Sequence, residues 1–537
     1  MALLSLWGAP PGVLLAAGGA LLILMPMLRR GHLPGVVWTL GALLGLLRLG
    51  AGELDGLPGF RPATLAGAGP LVSVAAGLLC LALFHGVMLF ENRRAPARKA
   101  LGATALLLGA AIAGLFADSL AIFLSVAAGA QLLAVVLRPG GVGGLLKSGI
   151  TGLLSVLVAV VSVGLLFQGW SERRLAGGAD VHDWVGTPFS GDPPSSLLFC
   201  GLALPVLLPG IAGGVTHGFL WQRHTGKLEE GAEFSPVGSG LASLAVAALL
   251  LAGLHVQFNG ADALGAWGIG AVGWALLAGG FAGWFVRQST GPGAEARLEP
   301  PTDKRLAAWA QGAVGIILVS SSAASESAEA AFGYAVIATF PALGGLAIAA
   351  ARLGFERSRH GGIGPQGMGR IFPSTMIFSG ILALSLLAFP WTLGFLARSQ
   401  GLGAVLVADG EEAGVIAVIF GLLIALLVAF PLLHGLFFHR GIDGSESPPR
   451  PMEPKAQRAS LGLATALVVA LGWAPDALGL VVPFTSVPTE AFPSVTVQMG
   501  ALGLTLFIFI LWTRFRSARF HGASDPTPGY PPAHEAK

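Results

Sequence analysis

Seven side chains in this sequence combine reactive chemistry with a position inside a long apolar segment: His85, Gln131, Lys147, His217, His255, Arg398 and His434. A charged group at the centre of a bilayer costs roughly 2.5–3.5 kcal/mol on insertion scales, so each ionisable one is a candidate for ion or proton handling. Their chemistries differ. An imidazole exchanges its proton near neutral pH, and burial can bring a lysine ammonium into the working range. A guanidinium stays protonated. Gln131 does not titrate but can both donate and accept hydrogen bonds. No Asp or Glu falls near the middle of any apolar run.

Each of these residues also has a structural reading. Lys147 can extend its stem along apolar surface and leave its ammonium among headgroups. His85, His217 and His255 can be neutral core residues bonded to a carbonyl. His434 follows Pro431 and reads more simply as packing. Arg398 follows Pro390 and Gly394, a pair that can interrupt a helix and free carbonyls to hold a cation, so an anchor is as good a reading as an ion path. Motifs of soluble enzymes are missing: there is no Gly-x-Gly-x-x-Gly after a strand, no phosphate loop, no Cys-x-x-Cys and no His-Glu-x-x-His. No cofactor and no metal site is therefore expected. Cys80 and Cys200 both lie in apolar segments and read as inert core thiols. Gly361–Gly369, in a basic loop, reads as a flexible connection.

The elements that must hold these groups are membrane helices. Of 537 residues, 54% are hydrophobic and only 11% charged, against about 25% charged in a soluble chain. Ala68–Phe90, Ser195–Leu220 and Phe372–Leu396 reach the roughly 20 apolar residues that cross a hydrocarbon core. They do not alternate as barrel strands would, and only a helix then satisfies the backbone in lipid. The chain is predicted to be all-α, a polytopic integral membrane protein with about fifteen spans. The runs lie near 9–28, 34–50, 68–90, 100–117, 119–137, 145–168, 195–220, 236–257, 263–286, 305–322, 329–351, 372–397, 411–438, 459–482 and 496–513. The first, Pro10–Leu28, has no charged segment before it and no small-residue cleavage site after it, so it is expected to be a retained helix. The longest polar stretches, Gln168–Pro194, Gln288–Lys304, His439–Arg458 and the tail after Trp512, are too short for a fold of their own.

Basic residues set the expected orientation. All but five of the 31 Lys and Arg residues fall in loops after odd-numbered runs or in the tail; the five are Arg48, Arg61, Arg173, Arg174 and Arg398. By the positive-inside rule the N-terminus is expected outside and the C-terminus in the cytoplasm of a bacterial-type inner membrane.

Several segments together resemble the antiporter-like membrane subunits of respiratory complex I and related Mrp-type and hydrogenase complexes, subunit N most closely. Leu384-Ser385-Leu386, then Pro390-x-Thr392-Leu393-Gly394-Phe395 and Arg398, is similar to the broken twelfth helix of that family, which carries a Lys where Arg398 stands. Lys304-Arg305-Leu306 is similar to its entry to helix 10. Phe219-Leu220-Trp221 followed by Pro236-Val237 is similar to the end of helix 7 and the start of helix 8, and Lys147 stands at the start of helix 6. The resemblance runs from residue 1 to about 485 by helix spacing; 496–537 lies beyond the family's usual fourteen helices.

The resemblance implies two inverted five-helix repeats with broken helices 7 and 12, the interruptions falling near Pro205 and Pro209 and near Pro390. The corresponding division is 1–99 for helices 1–3, 100–260 for the first repeat, 261–440 for the second, and 441–537 for helices 14–15 and the tail. It also implies partners: other membrane subunits, antiporter-like paralogues, the lipid bilayer and, through the complex, quinone, with no nucleic acid. Where the family carries its relay of Glu, Lys, Lys and His, this sequence places Ala128, Ala212, Val246 and Val314, leaving only Arg398 charged. The expectation is a non-catalytic subunit with a degenerate channel and a scaffolding or coupling role. Two alternatives stand beside it. One is a working proton or cation channel that uses His217, His255 and water, the wider set of ion-path candidates being Lys147, His217, His255, Arg398 and Gln131. The other is a stand-alone membrane enzyme such as a lipid transferase, with its polar outer loop at Ser171–Asp183.

Overall fold

The computed structural model describes residues 10–29, 32–51, 69–90, 98–136, 150–176, 195–211, 245–256, 263–285, 311–319, 322, 326–359, 372–399, 453 and 455–474. Among them lie fourteen α-helices and no strand. They are α1 (Val13–Leu24), α2 (Leu33–Ala51), α3 (Gly69–Leu89), α4 (Arg98–Leu115), α5 (Leu120–Val136), α6 (Ile150–Ala176) and α7 (Ser196–Ile211). Next come α8 (Ala245–Val256), α9 (Ala263–Phe285), α10 (311–319), α11 (Glu326–Arg359), α12 (Pro373–Leu386), α13 (393–399) and α14 (Lys455–Trp473). Three contain segments long and apolar enough to cross a membrane on the described residues alone: Leu71–Leu89, Val156–Leu175 and Ala331–Ala349. With the composition, this makes the protein a multi-pass membrane protein. The chain forms one compact unit from Met1 to Phe492 and a second from Pro493 to Lys537. The run at 411–438 and the whole of the second unit lie outside the described residues.

Packing in lipid relies on close van der Waals approach, which small residues allow. The α1–α4 contact is built this way. A Cβ on Gly19 would stand 2.6 Å from the Gly102 carbonyl, and one on Gly12 would stand 2.6 Å from the Gly109 carbonyl. The two helices therefore run antiparallel with their backbones touching. α2 and α3 pair antiparallel in the same manner, as do α6 and α7. At the centre α3 and α11 run parallel: Gly333 faces Ser73, and Gly77 faces Val336 and Phe340. α14 packs on α3, α11 and α12, and Ser460 Oγ donates to the Phe84 carbonyl at 2.8 Å.

Two contacts tie helix ends together at shared faces. His32 Nδ1 meets the Phe90 carbonyl, bringing the start of α2 beside the end of α3. Glu453 Oε1 accepts from the Thr375 N–H at 2.9 Å, bringing the approach to α14 beside the start of α12. The N-cap of α12, Phe372, supplies no side-chain bond and Pro373 comes next. The carboxylate of Glu453 thus serves as the cap, where a helix N-terminus favours negative charge.

Four sequence expectations need correction. The segment Ser171–Asp183 does not begin as a loop: α6 continues to Ala176, because Arg173 is buried and the Arg174 guanidinium lies 5.2 Å above the Trp170 ring. This contact holds a cation against an aromatic face and lets the helix carry its charges past the apolar run. At its C-terminal end α11 likewise extends beyond 351 to Arg359. Cys200 is exposed on its helix rather than a core thiol, while Cys80 is buried. Lastly, α7 is helical through both Pro205 and Pro209 and is not interrupted at either. Proline removes one backbone donor and leaves the carbonyl four residues earlier unsatisfied. For Pro205 that carbonyl is Gly201, and Ser162 Oγ on α6 donates to it at 2.6 Å. Beyond Ile211, residues 212–244 lie outside the described residues.

Candidate functional site

Polar groups at depth are the candidate site, and the break after α12 is its most distinctive backbone feature. Between Leu386 and residue 393 the chain leaves the helix, with Ala388 at φ 58 and Trp391 at φ 62. For residues with a Cβ the left-handed region costs about 1–2 kcal/mol each, so the surrounding contacts must impose it. They do so locally. The Ala388 N–H donates to the Ser385 carbonyl at 2.9 Å and the Phe389 N–H to the Leu384 carbonyl at 3.0 Å. Thr392 Oγ1 donates to the Phe389 carbonyl at 2.6 Å, and the Gly394 N–H donates to Ser385 Oγ at 3.1 Å. The break expected at Pro390 is present. The carbonyls of Leu384, Ser385 and Phe389 accept from these neighbours. Arg398 lies half-buried in α13, one turn beyond Gly394.

His255 is buried near the C-terminal end of α8, its ring stacked on Phe332 of α11 at 4.3 Å and 4°. His85 is buried near the end of α3, edge-on to Trp38 of α2 at 4.7 Å and 62°. The parallel register of α3 and α11 gives their separation in depth. Phe332 adjoins Gly333, which faces Ser73, so His255 lies level with Ser73. His85 is a dozen residues further, about 18 Å along the axis at 1.5 Å per residue. Between those levels the pair presents Leu78, Leu81, Val336 and Phe340, all buried. The two histidines are therefore placed at opposite ends of an apolar helix pair, and the structure does not bring them together.

Gln131 is buried in α5 with neither amide atom bonded among the described residues. Lys147, His217 and His434 lie outside the described residues, as does Ala212. The other three positions that the sequence resemblance sets against a relay are buried among apolar residues: Ala128 is 5% exposed, Val246 6% and Val314 4%. No cluster of three or more His, Cys, Asp or Glu that could hold a metal ion occurs among the described residues. Sequence reading missed Ser162, Thr392 and Glu453 as structural donors and caps, and it missed the positive φ of Ala388 and Trp391. Nothing in those residue types marks a left-handed conformation, and the Ser162–Gly201 bond exists only once α6 and α7 pack.

No protein-family model and no curated protein sequence matches the chain. Solved structures do share its fold. A chain of the Mrp complex from Dietzia sp. superposes with a TM-score of 0.64 at 15% identity, over 94% of this chain and 55% of that one. The present chain thus spans about half the length of that Mrp chain. A chain of respiratory complex I from Thermus thermophilus with bound NADH gives 0.60 at 18% identity, covering 88% of this chain and 97% of its own. A chain of the membrane-bound sulfane sulfur reductase, an archaeal respiratory membrane complex, gives 0.59 at 15% identity, covering 88% and 96%. At these identities the likeness is one of fold.

Proposed function

We propose that this chain is an antiporter-like membrane subunit of a complex I-related redox- or ion-driven assembly, that its own proton relay is degenerate, and that it acts as a scaffold or coupling element beside active paralogues. The observation that carries the degenerate channel is the packing of Ala128, Val246 and Val314 into apolar core at three of the relay positions. A relay needs groups that gain and lose a proton in turn, coupled by pairs whose making and breaking shifts their affinities. Alanine and valine cannot take part, and Arg398 does not release its proton. The fold shared with chains of an Mrp complex, a respiratory complex I and an archaeal respiratory complex supports the assembly. Its partners are other membrane subunits, antiporter-like paralogues and lipid, with quinone reached only through the complex. The division at 1–99, 100–260, 261–440 and 441–537 is part of the same proposal.

A second reading keeps the chain as a working channel, favoured by the burial of an exchangeable imidazole at His255. Proton translocation by the assembled complex in vesicles separates the two. With His217→Ala and His255→Ala combined, the proton-to-electron ratio should stay at the wild-type value. A clear drop, with assembly and redox chemistry intact, would establish the channel.

The proposed location is a bacterial-type inner membrane with the N-terminus outside. Besides the basic-residue asymmetry, it is supported by the His32–Phe90 and Glu453–Thr375 contacts, each of which joins ends predicted to share the basic face. Reporter fusions after Arg94 and Arg519 should read cytoplasmic and one after Asp180 external. A cytoplasmic signal at Asp180 would break the fifteen-span count.

A further inference from the structure

We propose that α14 is a brace for α12, and that Gly472 near its end is the seat that holds the break after α12 and so fixes where α13 and Arg398 begin. Two contacts at opposite ends carry this. Glu453, just ahead of α14, caps the first turn of α12 through the Thr375 N–H at 2.9 Å. At the other end, a Cβ on Gly472 would stand 2.6 Å from the Trp391 carbonyl oxygen and 2.6 Å from both the Cα and the carbonyl carbon of Thr392. Between these ends Leu382 of α12 and Ala464 of α14 meet over Gly345 of α11. α12 and α14 therefore run parallel. Lys455 to Gly472 covers about 26 Å along α14, whereas Thr375 to Leu386 covers about 17 Å along α12. α14 thus reaches past the last turn of α12 and touches the break itself.

The conformation of the break calls for support from outside. The Thr392 N–H donates to the Phe389 carbonyl at 3.3 Å, closing a four-residue turn with Pro390 second and Trp391 third. With φ 62 at Trp391 this has the form of a type II turn, whose third position is ordinarily glycine. A tryptophan there is strained and persists only where the surrounding structure holds it. The hydrogen bonds among residues 384–394 close the turn on α12 without joining it to another helix. Gly472 makes that junction. All three atoms facing it are backbone, so none can swing aside as the tip of a side chain could, and a glycine is what lets α14 come so close. Thr392 directly precedes α13, which carries Arg398, so seating Thr392 sets the start of that helix.

Amide hydrogen exchange of the full-length protein, read by mass spectrometry, tests this. Gly472→Ala should speed exchange over Ala388–Phe395 about tenfold or more while α1 and α4 keep their wild-type rates. Gly462→Ala, also on α14, should leave the break unchanged, because a Cβ there would meet the Phe378 ring at 3.5 Å, an ordinary contact. Wild-type exchange over Ala388–Phe395 in Gly472→Ala, or equal acceleration in every helix, overturns the proposal. If Gly472→Ala does not fold, a high-resolution map of the wild type decides. The Trp391 carbonyl packed on the Gly472 Cα supports the seat, and a gap or another molecule between them overturns it.

Discussion

Ser162 Oγ on α6 donates to the Gly201 carbonyl on α7 at 2.6 Å, the carbonyl that Pro205 leaves without its N–H donor. In lipid no solvent water can take that donor's place, so a hydroxyl from the next helix lets α7 run through a residue that would otherwise break it.

Ser162→Ala should therefore destabilise the purified protein by about 0.5–1.5 kcal/mol, the range of interhelical bonds in membranes, whereas Ser162→Thr should retain most of the stability. In a Pro205→Ala background the backbone donor returns, and the cost of Ser162→Ala should largely vanish. Unfolding midpoints of the four proteins in a double-mutant cycle measure the coupling; strict additivity would show that the two residues are independent.

Gly394 should not accept a side chain. Its N–H bonds Ser385 Oγ, and a Cβ there would fall inside the van der Waals envelope of the Ser385 carbonyl. Gly394→Ala is expected to cost about 3 kcal/mol or more, through overpacking against backbone that is already strained. A Cβ on Gly129 would meet no described atom within 4 Å, so Gly129→Ala should be neutral or slightly stabilising. Folded yield and thermal midpoint compare the pair.

Glu453 caps α12 from outside that helix. Glu453→Gln keeps an acceptor and loses the charge, and should cost a few tenths of a kcal/mol; Glu453→Ala should cost about 1 kcal/mol. Hydrogen exchange at the first turn of α12 should quicken in the same order. Unchanged exchange in Glu453→Ala would mean the cap adds nothing.

Arg398, half-buried beyond the break, is expected to serve as an anchor. Arg398→Lys should assemble nearly as wild type, and Arg398→Leu should assemble poorly, as native gel analysis of membranes would read. Normal assembly of Arg398→Leu with transport abolished would instead place Arg398 on the ion path.

Much of the architecture is legible in the sequence because a bilayer permits so few solutions. Apolar runs of spanning length, with 11% charge over the whole chain, leave only helices, and α1 to α12 each fall on a predicted run. Pro390 within Leu384–Arg398 located the break because proline removes a backbone donor inside a run of spanning length. Pro205 has the same local chemistry, yet its helix continues, since Ser162, distant in sequence, arrives to bond Gly201. The candidate site divides along the same line. That Ala128, Val246 and Val314 cannot titrate is a property of residue type, legible at once. That His85 and His255 stand at opposite ends of an apolar helix pair, each against an aromatic ring from another helix, depends on the register between α3 and α11, which only the packed structure sets.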